Sequence, residues 1–306
     1  PRYTHPNPSG DCSGPAPQAC LITYVSVKPM KPVKFDYTLP AALMAVPALL
    51  AGQERVSKVV SGGQSLGAML NLRLVQPDVL LDISGLADLK LIQETRDAWV
   101  IGACITHANI EDGCIAGKVG EVLASIARGI AYRAVRNRGT IGGSLAHADP
   151  SADWLCTLMA LNTTIRLVSQ AGARTLALEK FVTGAYEVDL AEDELIESVT
   201  IPKLSETQYW GYSKICRKTG EFAHAMAAVM RDTAKGNTRL VLGATERSPL
   251  VIVEPDDALF ESRDRFRVDV IERALSAHGV IDPIGNQIRV SACQRALKKS
   301  FGVATR

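Results

Sequence analysis

The sequence lacks the features that mark several common classes of protein. No apolar run approaches the roughly 20 residues of a membrane-spanning helix, and the chain does not open with the basic, apolar and small-residue segments of a secretory signal. Its 34 basic and 32 acidic residues give a formal charge of +2, without the basic excess typical of nucleic-acid binders. We therefore expect a cytoplasmic protein that neither binds nucleic acid nor spans a membrane.

Cysteine patterns that hold metals or disulfides are also missing. The seven cysteines are scattered and odd in number, and no two are spaced as C-x-x-C, which argues against a disulfide framework, a zinc site and an iron–sulfur site. Cys104 and Cys114 are near enough in sequence to suggest a metal site, but no pair of histidines at ligand spacing accompanies them. We therefore expect reduced thiols and no metal site in this chain.

The overall amino-acid composition is that of an ordinary globular protein. Hydrophobic residues make up 47% and charged residues 22% of 306 positions, and this length is sufficient for two domains. Residues 1–29 are rich in proline, glycine and serine and have no apolar period, so we expect an irregular extension that activity does not require. Helical and strand periods then alternate as far as a polar segment at residues 204–207. This pattern predicts one domain over residues 30–205 and another over residues 206–306.

The second domain is predicted to be a three-stranded sheet that carries helices. Strand-like runs cover residues 209–215, 223–230 and 239–244. Two helical patterns follow, one from Val268 to Leu275 and one around residues 292–297. A sheet with helices packed on it is a common domain architecture.

Two glycine pairs flanked by hydroxyl residues stand out in the first domain. Residues 61–65 read SGGQS and follow a buried strand predicted at residues 56–60, and residues 140–144 read TIGGS. Glycine has no Cβ atom, so successive backbone N–H groups can converge on an anion such as a phosphate; the alternative is a tight loop that needs glycine for its own turn. Neither segment matches the glycine motifs of Rossmann or P-loop proteins. Together the two segments could hold one pyrophosphate from both sides.

Five ordered sequence blocks resemble a single family from about Met30 to the C-terminus. The blocks are SGGQSL at residues 61–66, NLRLVQPDVLLDI at 71–83, VRNRGTIGGSLAHADPSAD at 135–153, DELIESVTIP at 193–202 and YSKICRKTGEFAHAMAAV at 212–229. They are similar to the flavoprotein (medium) subunit of the xanthine oxidase family of molybdenum hydroxylases, and most closely to the type found in aerobic carbon monoxide dehydrogenases. Agreement over five blocks is far more specific than agreement over any one of them.

The resemblance implies an α+β fold. It implies an FAD-binding fold of the vanillyl-alcohol oxidase (PCMH) type in two α/β subdomains, at about residues 30–84 and 85–205, followed at residues 206–306 by a C-terminal domain with a three-stranded antiparallel sheet and helices. It also implies that both glycine segments hold the FAD pyrophosphate. The residues expected there are Ser61, Gly62, Gly63, Gln64, Ser65, Leu66, Thr140, Ile141, Gly142, Gly143 and Ser144.

Five further residues match positions that contact FAD in the family. Asp153 matches an acid that contacts the cofactor through sugar hydroxyls, and Leu195 and Ile196 match apolar residues that lie against it. Lys214 matches a basic residue whose charge would favour the reduced, anionic flavin, and Phe222 matches an aromatic residue over one face of the ring. Alternatives remain open from the residues alone: Asp153 as the N-cap of the following helix, Lys214 as a solvated strand residue and Phe222 as core.

Four other polar residues in the same blocks are given structural roles. We expect Arg136 and Arg138 to form surface ion pairs, with contacts to the phosphates or to a partner subunit as the alternative. His147 and His224 have no partner at ligand spacing, so we expect them to support the site or the fold. No side chain is predicted to be a catalytic acid or base.

The implied function is that of the FAD subunit of a multi-subunit molybdenum hydroxylase. Substrate would be oxidised at a molybdenum cofactor on a large subunit, and electrons would pass through [2Fe-2S] clusters on a small subunit to FAD in this chain and on to an external acceptor. A dimer of heterotrimers is expected. One alternative is a self-contained FAD reductase of the same fold, similar to UDP-N-acetylenolpyruvylglucosamine reductase, although nothing at residues 209–244 suggests the substrate-binding acid and proton donor it would need. The other is an assembly subunit without cofactor, against which the intact glycine segments argue.

Overall fold

The computed structural model describes residues 31–52, 54–262 and 265–301. The extension predicted at residues 1–29 therefore lies outside the described residues. Within the described part of the chain there are three main sheets, each formed by its own stretch of sequence, and two short two-stranded ribbons. No helix in this part is long and apolar enough to cross a membrane.

The first stretch forms a small parallel sheet. Its elements are β1 (Asp36–Thr38), α1 (Ala45–Leu50), β2 (Ser57–Val60), α2 (Leu66–Asn71) and β3 (Val79–Asp82). The strand order is β1-β3-β2, and β3 is paired in parallel on both sides. All four residues of β3 are buried, as expected for the central strand of a covered parallel sheet. The SGGQS segment follows the carboxyl end of β2, which is where α/β sheets place their ligands.

The second stretch forms a five-stranded antiparallel sheet with a group of helices inserted in the middle of its sequence. Its elements are a 3-10 helix (Asp88–Lys90), β4 (Ile92–Glu94), β5 (Ala98–Gly102), α3 (His107–Glu111), α4 (Gly117–Arg128), α5 (Arg133–Arg136), α6 (Ile141–His147), α7 (Asp153–Ala160), β6 (Thr164–Ser169), β7 (Gly172–Ala177), α8 (Leu178–Phe181), β8 (Val182–Gly184), β9 (Glu187–Val188) and β10 (Leu195–Pro202). The strand order is β4-β5-β10-β6-β7. Every residue of α7 is buried, so this helix lies within the large core, with Asp153 in its first turn.

The third stretch corrects the predicted C-terminal architecture. Its elements are β11 (Gln208–Ile215), β12 (Ala225–Asp232), β13 (Asn237–Gly243), β14 (Leu250–Pro255), α9 (Asp256–Leu259), β15 (Phe260–Ser262), β16 (Arg265–Phe266), α10 (Val268–Ala277) and α11 (Pro283–Lys299). The sheet is an antiparallel meander of four strands rather than three. The prediction missed β14 because Pro249 and Pro255 bound this short run, and prolines indicate loops. An edge strand tolerates them because one side of it needs no ladder hydrogen bonds.

The four-stranded sheet is buried on both faces. Alternate residues of β12 belong to different cores: Met226 and Ala228 pack with the large core that includes α7, whereas Ala227 and Val229 pack with a smaller core that includes α11. Side chains that alternate along a strand face opposite sides of the sheet. The large core therefore continues across the predicted boundary at residue 205, and Lys214 on β11 lies within reach of α7.

Candidate cofactor site

A cavity of about 780 Å³ is lined by residues from all three stretches of the fold, and its volume is in the range of small-molecule sites. With the exception of Ile141, every residue predicted to bind FAD lines it. These residues are Ser61, Gly62, Gly63, Gln64, Ser65, Leu66, Thr140, Gly142, Gly143, Ser144, Asp153, Leu195, Ile196, Lys214 and Phe222. Ile141 is fully buried in the large core, and its N–H donates to Ile105 O at 3.0 Å.

The first glycine segment connects β2 to α2 and presents unpaired backbone donors. Among the described residues, no hydrogen bond uses the N–H groups of residues 62–66. Gly63 has a φ of +68°, a left-handed conformation that only glycine adopts without strain. A left-handed residue within a run of free N–H groups is the arrangement that forms an anion-binding concavity. This segment can therefore bind a phosphate with its backbone.

The two glycine segments are in direct contact. Ser61 Oγ and Thr140 Oγ1 are 2.9 Å apart and share a hydrogen bond. A Cβ atom placed on Gly62 would lie 2.7 Å from Arg138 C and 2.8 Å from Gly139 Cα, which is too close for any real Cβ atom. Gly62 is therefore required by the close approach of Arg138 and Gly139, which directly precede the second segment, independently of any ligand.

The second glycine segment begins a helix, so the alternative interpretation of it as a tight loop is wrong. Thr140 is the N-cap of α6, and its Oγ1 accepts from Gly143 N at 3.1 Å. Gly142 N donates to Ala103 O at 2.9 Å, and Ser144 N donates to Thr140 O at 3.0 Å. These N–H groups are therefore already used, and what this segment offers a ligand is the Ser144 hydroxyl, the bare glycine surface and the positive end of a short helix.

Gly142 also has a packing role. A Cβ atom on it would lie 2.5 Å from the Cβ atom of Ala103 and 2.8 Å from Ala103 O. Ala103 directly follows β5, so the glycine allows α6 to pack closely against the end of this strand. A larger residue at position 142 would disturb that contact before it reached a ligand.

Asp153 is held by two donors from β11. Tyr212 OH donates to Asp153 Oδ1 at 2.6 Å, and Lys214 Nζ lies 2.8 Å from Asp153 Oδ2. The side chains of Asp153 and Lys214 are only 6% and 10% exposed. Burial, together with the Asp153 carboxylate, raises the pKa of Tyr212 well above its usual value, so the phenol keeps its proton and remains a donor.

This contact decides two of the open alternatives. The side chain of Asp153 makes no cap hydrogen bond, and the N-cap position of α7 belongs to Ala152, so the helix-cap interpretation is wrong. Lys214 is a buried ion-pair partner rather than a solvated strand residue. Because Asp153 offsets the charge of Lys214, this lysine would favour the reduced, anionic form of a neighbouring flavin less than a lone cation would.

The apolar residues of the cavity differ in exposure. Leu195 and Ile196 are consecutive on β10 yet both buried, so the sheet is covered on both faces at this point. Phe222, which precedes β12, is 66% exposed, so the interpretation of this residue as core is wrong. An exposed aromatic ring at the wall of a cavity is available to stack on a ligand.

The arginines and histidines of the quoted blocks mostly lie around the site. Arg136 donates to Glu111 at 2.7 Å and to two backbone carbonyls. It therefore forms an ion pair, but its side chain is only 11% exposed, so the pair is largely buried and not on the surface as predicted. Among the described residues, Arg138 forms no ion pair. Arg138 and His224 are exposed, and neither lines the cavity. His147 lines the cavity and its ring lies 5.2 Å from that of Tyr186.

Two residues at the site were not predicted. Tyr212 holds Asp153, and the signal for it was its position two residues before Lys214, which puts both side chains on one face of a strand. His107 lines the cavity and is 6% exposed. Its Nδ1 atom accepts a hydrogen bond from Trp154 Nε1 at 3.0 Å. Nothing in the local sequence marks His107, because its partner is 47 residues away.

Comparisons with known proteins identify the family of this chain. Residues 33–204 match the family described as the FAD binding domain in molybdopterin dehydrogenase. The chain is 34% identical to the nicotine 6-hydroxylase medium subunit of Paenarthrobacter nicotinovorans, over 75% of this chain and 81% of that protein. It is 33% identical to the carbon monoxide dehydrogenase medium chain of Hydrogenophaga pseudoflava, over 73% of this chain and 78% of that one.

Solved structures show the same relationship in three dimensions. A chain of carbon monoxide dehydrogenase from Hydrogenophaga pseudoflava superimposes with a TM-score of 0.78 at 28% identity, covering 89% of this chain and 98% of that chain. A chain of quinoline 2-oxidoreductase from Pseudomonas putida 86 superimposes with a TM-score of 0.76 at 30% identity, covering 89% and 99%. Both comparisons extend beyond the matched domain into the C-terminal sheet. The chain therefore belongs to the family of molybdopterin dehydrogenase subunits that carry this FAD-binding domain.

Proposed function

We propose that this chain is the FAD-carrying electron-transfer subunit of a multi-subunit molybdenum hydroxylase. The observation that carries the proposal is the run of unpaired N–H groups at residues 62–66, which opens into a cavity large enough for a cofactor. These donors suit a diphosphate, because an anion satisfies several backbone N–H groups at once. The remaining lining, polar at Asp153 and apolar at Leu195, Ile196 and Phe222, suits the sugar and ring parts of a flavin.

Each group of residues would have a distinct task in holding FAD. Residues 62–66 would bind the diphosphate, with the Ser61 and Ser144 hydroxyls beside them. Asp153 would accept hydrogen bonds from sugar hydroxyls, and its two donors keep it oriented for this purpose. Phe222 would stack on the ring system. Bound FAD would supply the exchange of electrons between iron–sulfur clusters and an external acceptor.

The other redox centres are proposed to lie on partner chains. Among the described residues, no group of three or more His, Cys, Asp or Glu side chains could hold a metal ion. The relatives are named medium subunits or chains of dehydrogenases and hydroxylases that act on compounds as different as nicotine and carbon monoxide. This supports a large molybdenum subunit that determines the substrate and a small subunit with [2Fe-2S] clusters. We propose a dimer of heterotrimers in the cytoplasm.

The spectrum of the purified chain tests the proposal. The full-length protein should be yellow, should contain close to one FAD per chain, and should lose its flavin absorbance when dithionite is added. Co-expression with the proposed large and small subunits should yield a complex in which substrate bleaches the same absorbance. A colourless chain that takes up no FAD from solution would contradict the proposal and would favour a cofactor-free assembly subunit.

A further inference from the structure

His107 is a buried polar side chain to which the proposed function assigns no task. It is the first residue of α3, and its backbone N–H donates to Gly139 O at 2.9 Å. The preceding residue, Thr106, forms a β-bridge with Thr140. The backbone therefore fixes His107 against the start of the second glycine segment, next to Gly139, whose Cα atom lies close to Gly62.

The contact with Trp154 determines which nitrogen of His107 carries the proton. An indole N–H can only donate, so His107 Nδ1, 3.0 Å from Trp154 Nε1, must accept. Burial lowers the pKa of His107 to about 4, with a smaller contribution from the charge of Arg136. The imidazole is therefore neutral at neutral pH, and its single proton is on Nε2.

The Nε2–H group of His107 has no acceptor within the described part of the chain. The side-chain polar atoms there that are both unpaired and fully inaccessible are Thr157 Oγ1, Thr163 Oγ1 and Arg289 Nε. His107 Nε2 is not one of them, so it is reached from the cavity that the ring lines. A Cβ atom on Gly139 would lie 2.9 Å from this nitrogen, so the glycine also keeps the space beside it open.

An unused donor that is reached from the cavity, on a side chain only 6% exposed, indicates a hydrogen-bond acceptor on the ligand that fills the cavity, since a ligand without one would leave the donor buried and unpaired. We propose that His107 Nε2–H donates a hydrogen bond to a diphosphate oxygen of the bound dinucleotide, with Trp154 as the positioning residue that fixes the tautomer. The proposal rests on the proposed function, because it names a further donor for the cofactor that residues 62–66 would hold. His107, which lies against the second glycine segment, would then supply a hydrogen-bond donor to the diphosphate that the occupied N–H groups of this segment cannot supply.

Two substitutions at position 107 separate a donor from a merely structural residue. In His107→Gln, the amide can accept from Trp154 through its oxygen and donate through its nitrogen, as the imidazole does. In His107→Leu, both hydrogen bonds are lost. We expect FAD to bind the leucine variant about 10- to 100-fold more weakly than the wild type, as for loss of a hydrogen bond to a charged group. The glutamine variant should bind FAD within a few-fold of the wild type.

The experiment uses the full-length chain freed of flavin, titrated with FAD and followed by flavin fluorescence, with ³¹P spectra of the bound cofactor. A diphosphate resonance should shift in the leucine variant and return close to its wild-type position in the glutamine variant. Trp154→Phe removes the donor that orients the ring, and it should weaken FAD binding more than the matched change Trp99→Phe on β5, a buried position outside the cavity. The comparison of Trp154→Phe with Trp99→Phe still tests the proposal if the His107→Leu variant does not fold.

Equal FAD affinity and unchanged ³¹P spectra in wild type, His107→Leu and Trp154→Phe would overturn the assignment of His107 while leaving the proposed function in place. A weakened glutamine variant that matches the leucine variant would also overturn it, because a donor at this position would then make no difference. A wild-type chain that binds no FAD would instead overturn the proposed function, and this proposal with it.

Discussion

Replacing Gly62 with alanine tests whether the two glycine segments are in contact. The new Cβ atom would lie 2.7 Å from Arg138 C, 2.8 Å from Gly139 Cα and closer still to Arg138 O. All three are backbone atoms that cannot rotate away, so one segment must move. A shift of about 1 Å, which would restore ordinary carbon–carbon separations, would stretch the 2.9 Å hydrogen bond between Ser61 and Thr140 beyond its normal range.

The expected destabilisation has two parts. Overpacking a tight contact lowers the free energy of unfolding by about 1–3 kcal/mol, and the lost hydrogen bond lowers it by about 1 kcal/mol. The sum, about 2–4 kcal/mol, is a large fraction of the roughly 5–15 kcal/mol that stabilises a typical folded protein. FAD affinity should fall as well, because the movement separates the unpaired donors of residues 62–66 from the second segment.

Urea unfolding without FAD and a separate FAD titration measure both effects. Gly67→Ala is the matched control: Gly67 lies within α2, and a Cβ atom there meets nothing within 4 Å. Since alanine is favoured over glycine inside a helix, this control should be more stable than the wild type by about 0.5–1 kcal/mol. Equal stability and equal FAD affinity of the Gly62→Ala variant and the wild type would refute the contact between the segments.

Three further predictions concern the buried polar groups. Asp153→Asn leaves the Lys214 ammonium buried without its counter-ion and should lower the free energy of unfolding by about 3–5 kcal/mol. The loss should be smaller in the double variant that also carries Lys214→Met. If urea unfolding shows that the losses of the two single variants simply add in the double variant, the ion pair between Asp153 and Lys214 is contradicted. Tyr212→Phe removes a donor to a carboxylate and should cost about 1.5–3 kcal/mol, whereas Tyr209→Phe, on the same strand but exposed, should change stability by less than about 0.5 kcal/mol. The unfolded chain binds a proton at His107 near pH 6.5 and the folded chain only near pH 4, so the free energy of unfolding should fall as the pH drops through this window, by about 3 kcal/mol in all. Unfolding measured from pH 7 to pH 4 should show a smaller fall in the His107→Gln variant. Parallel curves for the wild type and this variant would contradict the buried, neutral imidazole.

Local periodicity was sufficient to predict most of the fold. The strand-like runs at residues 209–215 and 223–230 predicted β11 and β12, and the apolar spacing from Val268 to Leu275 predicted α10. The start of α6 was harder, because Gly142 and Gly143 indicate a loop by composition, and only the hydroxyl of Thr140 marks a helix N-cap. Packing of α6 against the residue after β5 overrides the low helix propensity of these glycines.

The sequence alone predicted those site residues that stand in recognisable local motifs. Both glycine segments and Asp153 stand in distinctive sequence blocks, and the structure brings them to one cavity. The contacts that determine how these residues can act join positions far apart: Tyr212 and Asp153 are separated by 59 residues, and His107 and Trp154 by 47. Spacing along one strand or helix carries no information about such pairs, which arise only when β11 and α3 pack against α7.

Backbone hydrogen exchange tests the central claim most directly, because it distinguishes the two glycine segments. Without FAD, the unpaired N–H groups of residues 62–66 should exchange rapidly, whereas those of residues 141–144, already hydrogen-bonded within the protein, should exchange slowly. Adding FAD to the full-length chain should slow exchange at residues 62–66 and leave residues 141–144 nearly unchanged. Exchange at residues 62–66 that stays equally fast with saturating FAD would contradict the assignment of this segment as the diphosphate-binding site.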